Sequence, residues 1–361
     1  MQAYYLVSTP LHLFVALGVA LSRQSTETAT LIFIDQYPGQ SDVYIRCLKD
    51  HPLSPFKTLV EFGGRDVAFK QKLAFRKQLF ADLQAMIAQD CPDRMYVGND
   101  RRVEFQYLMQ AGRKINPQLE GVYLDEGMFT YVGRKASKSF SDAVVDTLLK
   151  KLAYGFWWSN PPTVGAGKWI SQAYVAFPDL VHPALTKKHL IPLEPTYFTH
   201  HHFQQLAACW LAQFHIDAGA LAELDLMITL PEKTDMDKVS GYVEHIQRLV
   251  WGLKHNAGLI GIKYHPSERS EDPLNLKKNP SVKILPAKLP FEAMLPFLKS
   301  IKLLGDMSST LLTTKLFRPD IAVAVMQIGP RTAHFEQFVG LFNRLALPIL
   351  EKSAIEHYAR R

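Results

Sequence analysis

Three cysteines are scattered through 361 residues, and Cys47, Cys91 and Cys209 form no CxxC pair and have no histidine at ligand spacing. The sequence therefore encodes neither a small disulfide-stapled scaffold nor a structural zinc site, and a reducing cytoplasm is the expected compartment. Long apolar runs are missing too. The stretch from Leu11 to Leu21 falls short of the ~20 residues of a membrane span and has no basic segment ahead of it, so it reads as a buried helix. No GxSxG elbow, P-loop or GxGxxG is present, which removes the usual signatures of esterases, P-loop enzymes and dinucleotide binders. The run His200-His201-His202 has no carboxylate or cysteine at ligand spacing, so no metal and no cofactor is expected. Net charge is +7, but there is no zinc finger, RNA-binding aromatic signature or long basic run, and nucleic acid is not an expected partner. The charge points instead to a phosphorylated and carboxylated substrate or to acidic lipid headgroups.

What is present is a repeated alternation of apolar strands and helices. The length suits two domains, since domains cluster at roughly 100–200 residues. Strands are predicted at Ala3 to Val7, Leu31 to Ile34, Leu59 to Phe62, Met95 to Val97, Val122 to Leu124 and Tyr174 to Phe177, with helical periodicity between most of them. A long helix is expected over 140–153. Pro178, Pro183, Pro192 and Pro195 then read as a linker, with a boundary near residue 190. Beyond it the alternation restarts, with strands at Leu226 to Leu230, Leu259 to Lys263, Val282 to Leu285, Lys302 to Leu304 and Ile321 to Val325. The expected division is an acceptor-binding Rossmann-like domain over 1–190, a donor-binding one over 191–331, and a helical tract over 332–361 that packs back on the first. Two such α/β units facing a central cleft are the outline of the GT-B architecture.

In parallel sheets functional groups gather at the C-terminal strand edge. Asp125 and Glu126 end one strand there, followed by Gly127, whose freedom at positive φ permits a sharp turn. Adjacent residues point to opposite sides, so only one of the two faces a given cleft and serves as a general base; the other reading is a turn carboxylate with a solvated neighbour. His265-Pro266 ends another strand, with Lys263 on the same side if the strand continues that far, and a cation beside a histidine suits a phosphate. Ser308 and Ser309 stand at the start of a helix, where hydroxyls and unpaired backbone N–H groups receive anions. Thr229 ends the first strand of the second domain and is a candidate for nucleotide contact; Thr9, His12 and Asn99 are candidates for the acceptor side.

Asp125-Glu126-Gly127, Lys263-Tyr264-His265-Pro266 and Ser308-Ser309, in that order, resemble the acidic-acidic-glycine, HP and serine-pair motifs of bacterial sialyltransferases. The opening Ser8-Thr9-Pro10-Leu11 is similar to that of the lipooligosaccharide sialyltransferase and polysialyltransferase groups. The resemblance implies a GT-B fold and an inverting, metal-independent transfer from a CMP-activated nonulosonic acid, such as CMP-sialic acid, to a cell-surface glycan of lipooligosaccharide or capsule. It implies Asp125 as general base, with Glu126 as the alternative, His265 acting on the leaving phosphate, and Ser308 and Ser309 holding it with Pro266 alongside. Kdo, legionaminic or pseudaminic acid as the transferred sugar, and a non-catalytic polysaccharide-binding or assembly protein, are the competing expectations. A peripheral contact with anionic inner-membrane lipids would use Lys150, Lys151, Trp157 and Trp158, although the tryptophans equally suit packing between domains.

Overall fold

Two all-parallel sheets organise the chain. A computed structural model describes residues 1–37, 39, 41–64, 66–67, 71–133, 151, 155–253 and 258–360. In the first sheet β1 (Gln2–Val7), β2 (Thr28–Gln36), β3 (Phe56–Gly63), β4 (Arg94–Val97), β5 (Glu120–Leu124), β6 (Ile170–Val175) and β7 (His189–Pro192) lie in the order β3-β2-β1-β4-β5-β6-β7. In the second, β8 (Leu224–Leu230), β9 (Leu259–Tyr264), β10 (Val282–Leu285), β11 (Lys302–Gly305), β12 (Ala322–Gln327) and β13 (Ile349–Glu351) lie in the order β10-β9-β8-β11-β12-β13. Both orders reverse once, between β1 and β4 and between β8 and β11. Such switch points open a crevice above the strand ends in doubly wound sheets.

Central strands carry unbroken apolar runs because helices cover both faces of a parallel sheet. Ala3 to Val7 are all buried, as are Leu226 to Leu230. In the second unit Ile228, Ile260, Ile262 and Leu304 pack with Ile246, Leu249 and Val250 of the helix Tyr242–Gly252. The helix Pro10–Arg23 begins with Pro at its first turn and Thr9 as cap, and residues 12 to 21 are all buried. Among the described residues no helix is long and apolar enough to cross a membrane.

The chain divides into compact units Met1–Leu206 and Ala207–Arg361. The tract expected as a linker instead holds two 3-10 turns, Pro178–Leu180 and Pro183–Leu185, and the strand β7, which pairs in parallel with β6 and ends on Pro192. Proline survives at a sheet edge because no further strand needs its missing N–H. Residue 190, the expected boundary, thus falls within a strand of the first sheet. The tract from 332 is not one helical segment: a helix Ala333–Arg344 is followed by β13 and a helix Lys352–Arg360. Ile355 and Ala359 of the last helix join the core of the second unit. The helix expected over 140–153 lies outside the described residues apart from Lys151.

Candidate active site

Asp125 follows β5 with its side chain 3% exposed, and all its lone-pair capacity is taken by the protein. Oδ1 accepts from Gly127 N and Thr130 Oγ1, both at 2.8 Å; Oδ2 accepts from Ala176 N at 2.9 Å and from the Tyr131 hydroxyl. A carboxylate offers about four acceptor positions. Burial raises the Asp125 carboxyl above the usual range, and the four donors oppose that rise. Gly127, at φ 90° and ψ −136°, makes the turn that brings its own N–H back to Oδ1, in a region that side-chain-bearing residues avoid. The backbone of Asp125 also donates to Tyr174 O at 3.0 Å, so the loop is fastened to the end of β6.

Glu126 has a different environment. Its Oε2 lies 3.5 Å from His12 Nε2, and the side chains are 8% and 5% exposed. His12 Nδ1 is 3.3 Å from Ser8 Oγ, and the ring lies against Gly98, where a Cβ would approach it to 2.3 Å. Only glycine after β4 leaves room for that imidazole, at the point where strand order reverses. Thr9 caps the helix by accepting from His12 N at 3.3 Å, and Asn99 Oδ1 accepts from Arg101 N at 3.1 Å, so these two of the three acceptor-side candidates make local backbone contacts at this same edge. Asp100, next to Asn99 after β4, is buried and accepts from Gly165 N at 2.9 Å and Gly167 N at 2.7 Å. Burial pushes its carboxyl up to about 6, with the two N–H groups opposing and the nearby Glu126 charge adding to the rise.

In the second unit the candidates also gather at C-terminal strand ends. Thr229 of β8 stands in register between Lys263 of β9 and Gly305 of β11, and its buried hydroxyl has no hydrogen-bond partner among the described residues. Ser308 caps the helix Ser309–Phe317, its Oγ accepting from Thr310 N at 3.3 Å, and Ser309 is exposed at the first turn. His265 is exposed just past β9, and Pro266 occupies the second position of a turn closed by Glu268 N donating to His265 O at 2.9 Å. Because β9 and β11 flank β8, the strands leading to the histidine and to the serine pair run about 10 Å apart.

Lys263 departs from expectation. The strand ends at Tyr264, and the lysine is buried, donating to Ala287 O at 2.7 Å and Tyr264 O at 3.2 Å rather than standing beside His265. Burial lowers its ammonium to about 8, and Glu292, which sequence reading missed, partly restores it. Burial likewise pushes Glu292 up to about 7. The signal was there: Glu292 is the one charged residue in the run Leu289-Pro290-Phe291-Glu292-Ala293-Met294. The membrane-contact candidates fare no better, since Trp158 is buried and Trp157 packs on Phe80 and Tyr107 at centroid distances of 6.1 and 5.8 Å. Lys150 lies outside the described residues.

Two parallel-sheet Rossmann-like units with polar groups at their C-terminal strand edges are the GT-B architecture. The α/β-galactoside α-2,3-sialyltransferase of the luminous marine bacterium Photobacterium phosphoreum matches at TM-score 0.61 and 13% identity, over 98% of each chain. UDP-GlcNAc 2-epimerase of Methanocaldococcus jannaschii matches at TM-score 0.55 and 10% identity, over 99% of this chain and 91% of that one. A UDP-glucosyltransferase of Polygonum tinctorium matches at TM-score 0.51 and 13% identity, over 95% and 82%. These likenesses speak to the fold. A sequence model of the alpha-2,8-polysialyltransferase family matches residues 65–327, and the chain belongs to that family. The match spans Asp125, Glu126, His265, Ser308 and Ser309, and the family implies a nucleotide-sugar donor and a glycan acceptor. No curated protein matches the chain in sequence.

Asp125→Ala leaves four donors without their acceptor and is expected to destabilise the protein by about 3 kcal/mol. In thermal unfolding this lowers Tm by roughly 6–12 °C, and an unchanged Tm would refute the structural role. Asp100 gives a pH signature. Between pH 4 and 6 the folded protein holds this proton and the unfolded chain has lost it, so the group's contribution to stability falls by about 3 kcal/mol as pH rises across that window. Asp100→Asn is expected to remove that part of the slope, read as Tm against pH; parallel curves for the two proteins would exclude it.

Proposed function

We propose that the protein transfers sialic acid or a related nonulosonic acid from a CMP-activated donor to a hydroxyl of a lipooligosaccharide or capsular glycan, with inversion and without a metal. One observation carries the reading: of two adjacent carboxylates at a parallel-sheet edge, Asp125 is saturated by protein donors, whereas Glu126 has only His12 as its side-chain partner among the described residues. Glu126 is therefore the general base, and Asp125 positions it.

In this reading Glu126 takes the acceptor hydroxyl's proton as that oxygen attacks the anomeric carbon. The bond from that carbon to the phosphate oxygen breaks on the opposite side, which inverts the centre. His265 donates to the departing oxygen. Ser308, Ser309 and the N–H groups at the start of the helix Ser309–Phe317 receive the phosphate charge, which the positive end of a helix stabilises. Thr229 supplies a buried hydroxyl at the same edge, in register with Lys263, whose charge Glu292 supports. CMP is a good leaving group, so these donors suffice without a divalent ion.

Purified protein incubated with CMP-sialic acid, CMP-Kdo and other CMP-sugars, with and without EDTA, is expected to release CMP from the nonulosonic acid donors in both conditions. A general base contributes about 10²–10⁴ in rate, so Glu126→Gln should lower kcat by that factor while Tm stays at the wild-type value. Full turnover in Glu126→Gln, or loss of turnover in EDTA, would sink the corresponding part of the reading.

A further inference from the structure

His265 belongs to a chain of side chains that the proposed reaction does not by itself require. Its Nδ1 lies 2.7 Å from Ser267 Oγ, and that hydroxyl donates to Glu232 Oε2 at 2.6 Å. A hydroxyl carries one proton. With that proton on Glu232, the short contact to the ring is a hydrogen bond only if Nδ1 carries a hydrogen and Ser267 Oγ accepts it. Ser267 N also approaches Nδ1, at 3.3 Å, and would favour the opposite tautomer. The 2.7 Å contact, ending on a carboxylate, is the stronger and decides. Pro266 fixes the turn that folds Ser267 back over the ring.

Two other charged groups of this stretch are engaged elsewhere. Glu268 accepts from Lys233 N, Arg269 N and Ser270 N, and Lys263 is buried against Ala287 O. Glu232, reaching across from the segment after β8, is the carboxylate that meets the relay.

We infer that Glu232, acting through Ser267, is a positioning residue that holds His265 with a proton on Nδ1, so that when the ring is doubly protonated it is Nε2 that gives its proton to the departing phosphate and the neutral Nδ1–H form that remains. This rests on the reading of His265 given above. When Nε2–H is donated to the phosphate oxygen, the bond from that oxygen to the anomeric carbon breaks with its electron pair on oxygen. The ring is left neutral with Nδ1–H in place, and solvent returns the Nε2 proton to the exposed ring. Neither Glu232 nor Ser267 changes protonation. Without the relay, a neutral ring is free to keep its proton on Nε2 and turn away from the reacting bond.

The test uses the full chain as wild type, Ser267→Ala, Glu232→Gln and His265→Ala. In ¹⁵N-histidine spectra of the free protein, the neutral His265 signal, assigned by its loss in His265→Ala, is expected to report Nδ1–H in the wild type and to move toward Nε2–H in Ser267→Ala. With CMP-sialic acid, Ser267→Ala and Glu232→Gln should each lower kcat about tenfold with KM within twofold, and the double variant should be no worse than either single one, as for residues acting as a unit. A wild-type signal already on Nε2, or unchanged kcat in both single variants while His265→Ala is impaired, overturns the relay and leaves the role of His265 standing. Full activity in His265→Ala overturns the underlying reading instead.

Discussion

The Asp125 carboxylate is the interaction on which the polar strand edge of the first unit depends. Four protein donors converge on it from the Gly127 turn, the Thr130 and Tyr131 side chains and the end of β6. Taking a carboxylate out of water is costly unless its lone pairs are matched, and here they are. The consequence falls on the next residue. Once Asp125 is fixed inward, the alternation of the chain sends Glu126 the other way, toward His12 at the reversal of strand order. A saturated carboxylate thus defines the geometry of an unsaturated one.

Much of this organisation was legible in the sequence, for a physical reason. Parallel strands are covered on both faces, so Val122 to Leu124, Leu226 to Leu230 and Leu303 to Leu304 appear as short unbroken apolar runs, and the polar residues that follow them mark the strand ends. The positions of Asp125, Glu126, His265, Ser308 and Ser309 at those ends follow directly. What the pattern did not distinguish was which of two adjacent carboxylates is saturated by protein donors, because that depends on residues 127 to 131 and 176. The prolines around 178–195 misled because 3-10 turns and an edge strand tolerate proline as readily as a linker does. Lys263 misled because the strand stopped one residue short of His265, which turned a supposed partner into a buried group held by carbonyls. Residues 349–351 were absorbed into a helical tract because a three-residue edge strand has too few positions to display alternation.

The proposed reaction asks for rigidity. Stabilising a departing phosphate is effective only when the donors are in place before the charge develops, since dipoles that must reorient at that moment give back much of what they contribute. A side chain on a long loop meets that condition poorly. Here Thr229 is locked in a central strand, Ser308 caps a helix that follows the adjacent strand, and His265 is one residue beyond a third, so their spacing is set by the sheet's hydrogen-bond ladder. His265, the most exposed of the three, is the one with least support from burial. Its orientation therefore falls to the turn at Pro266 and to the side chains of Ser267 and Glu232, which do for the imidazole what Gly127 and Thr130 do for Asp125.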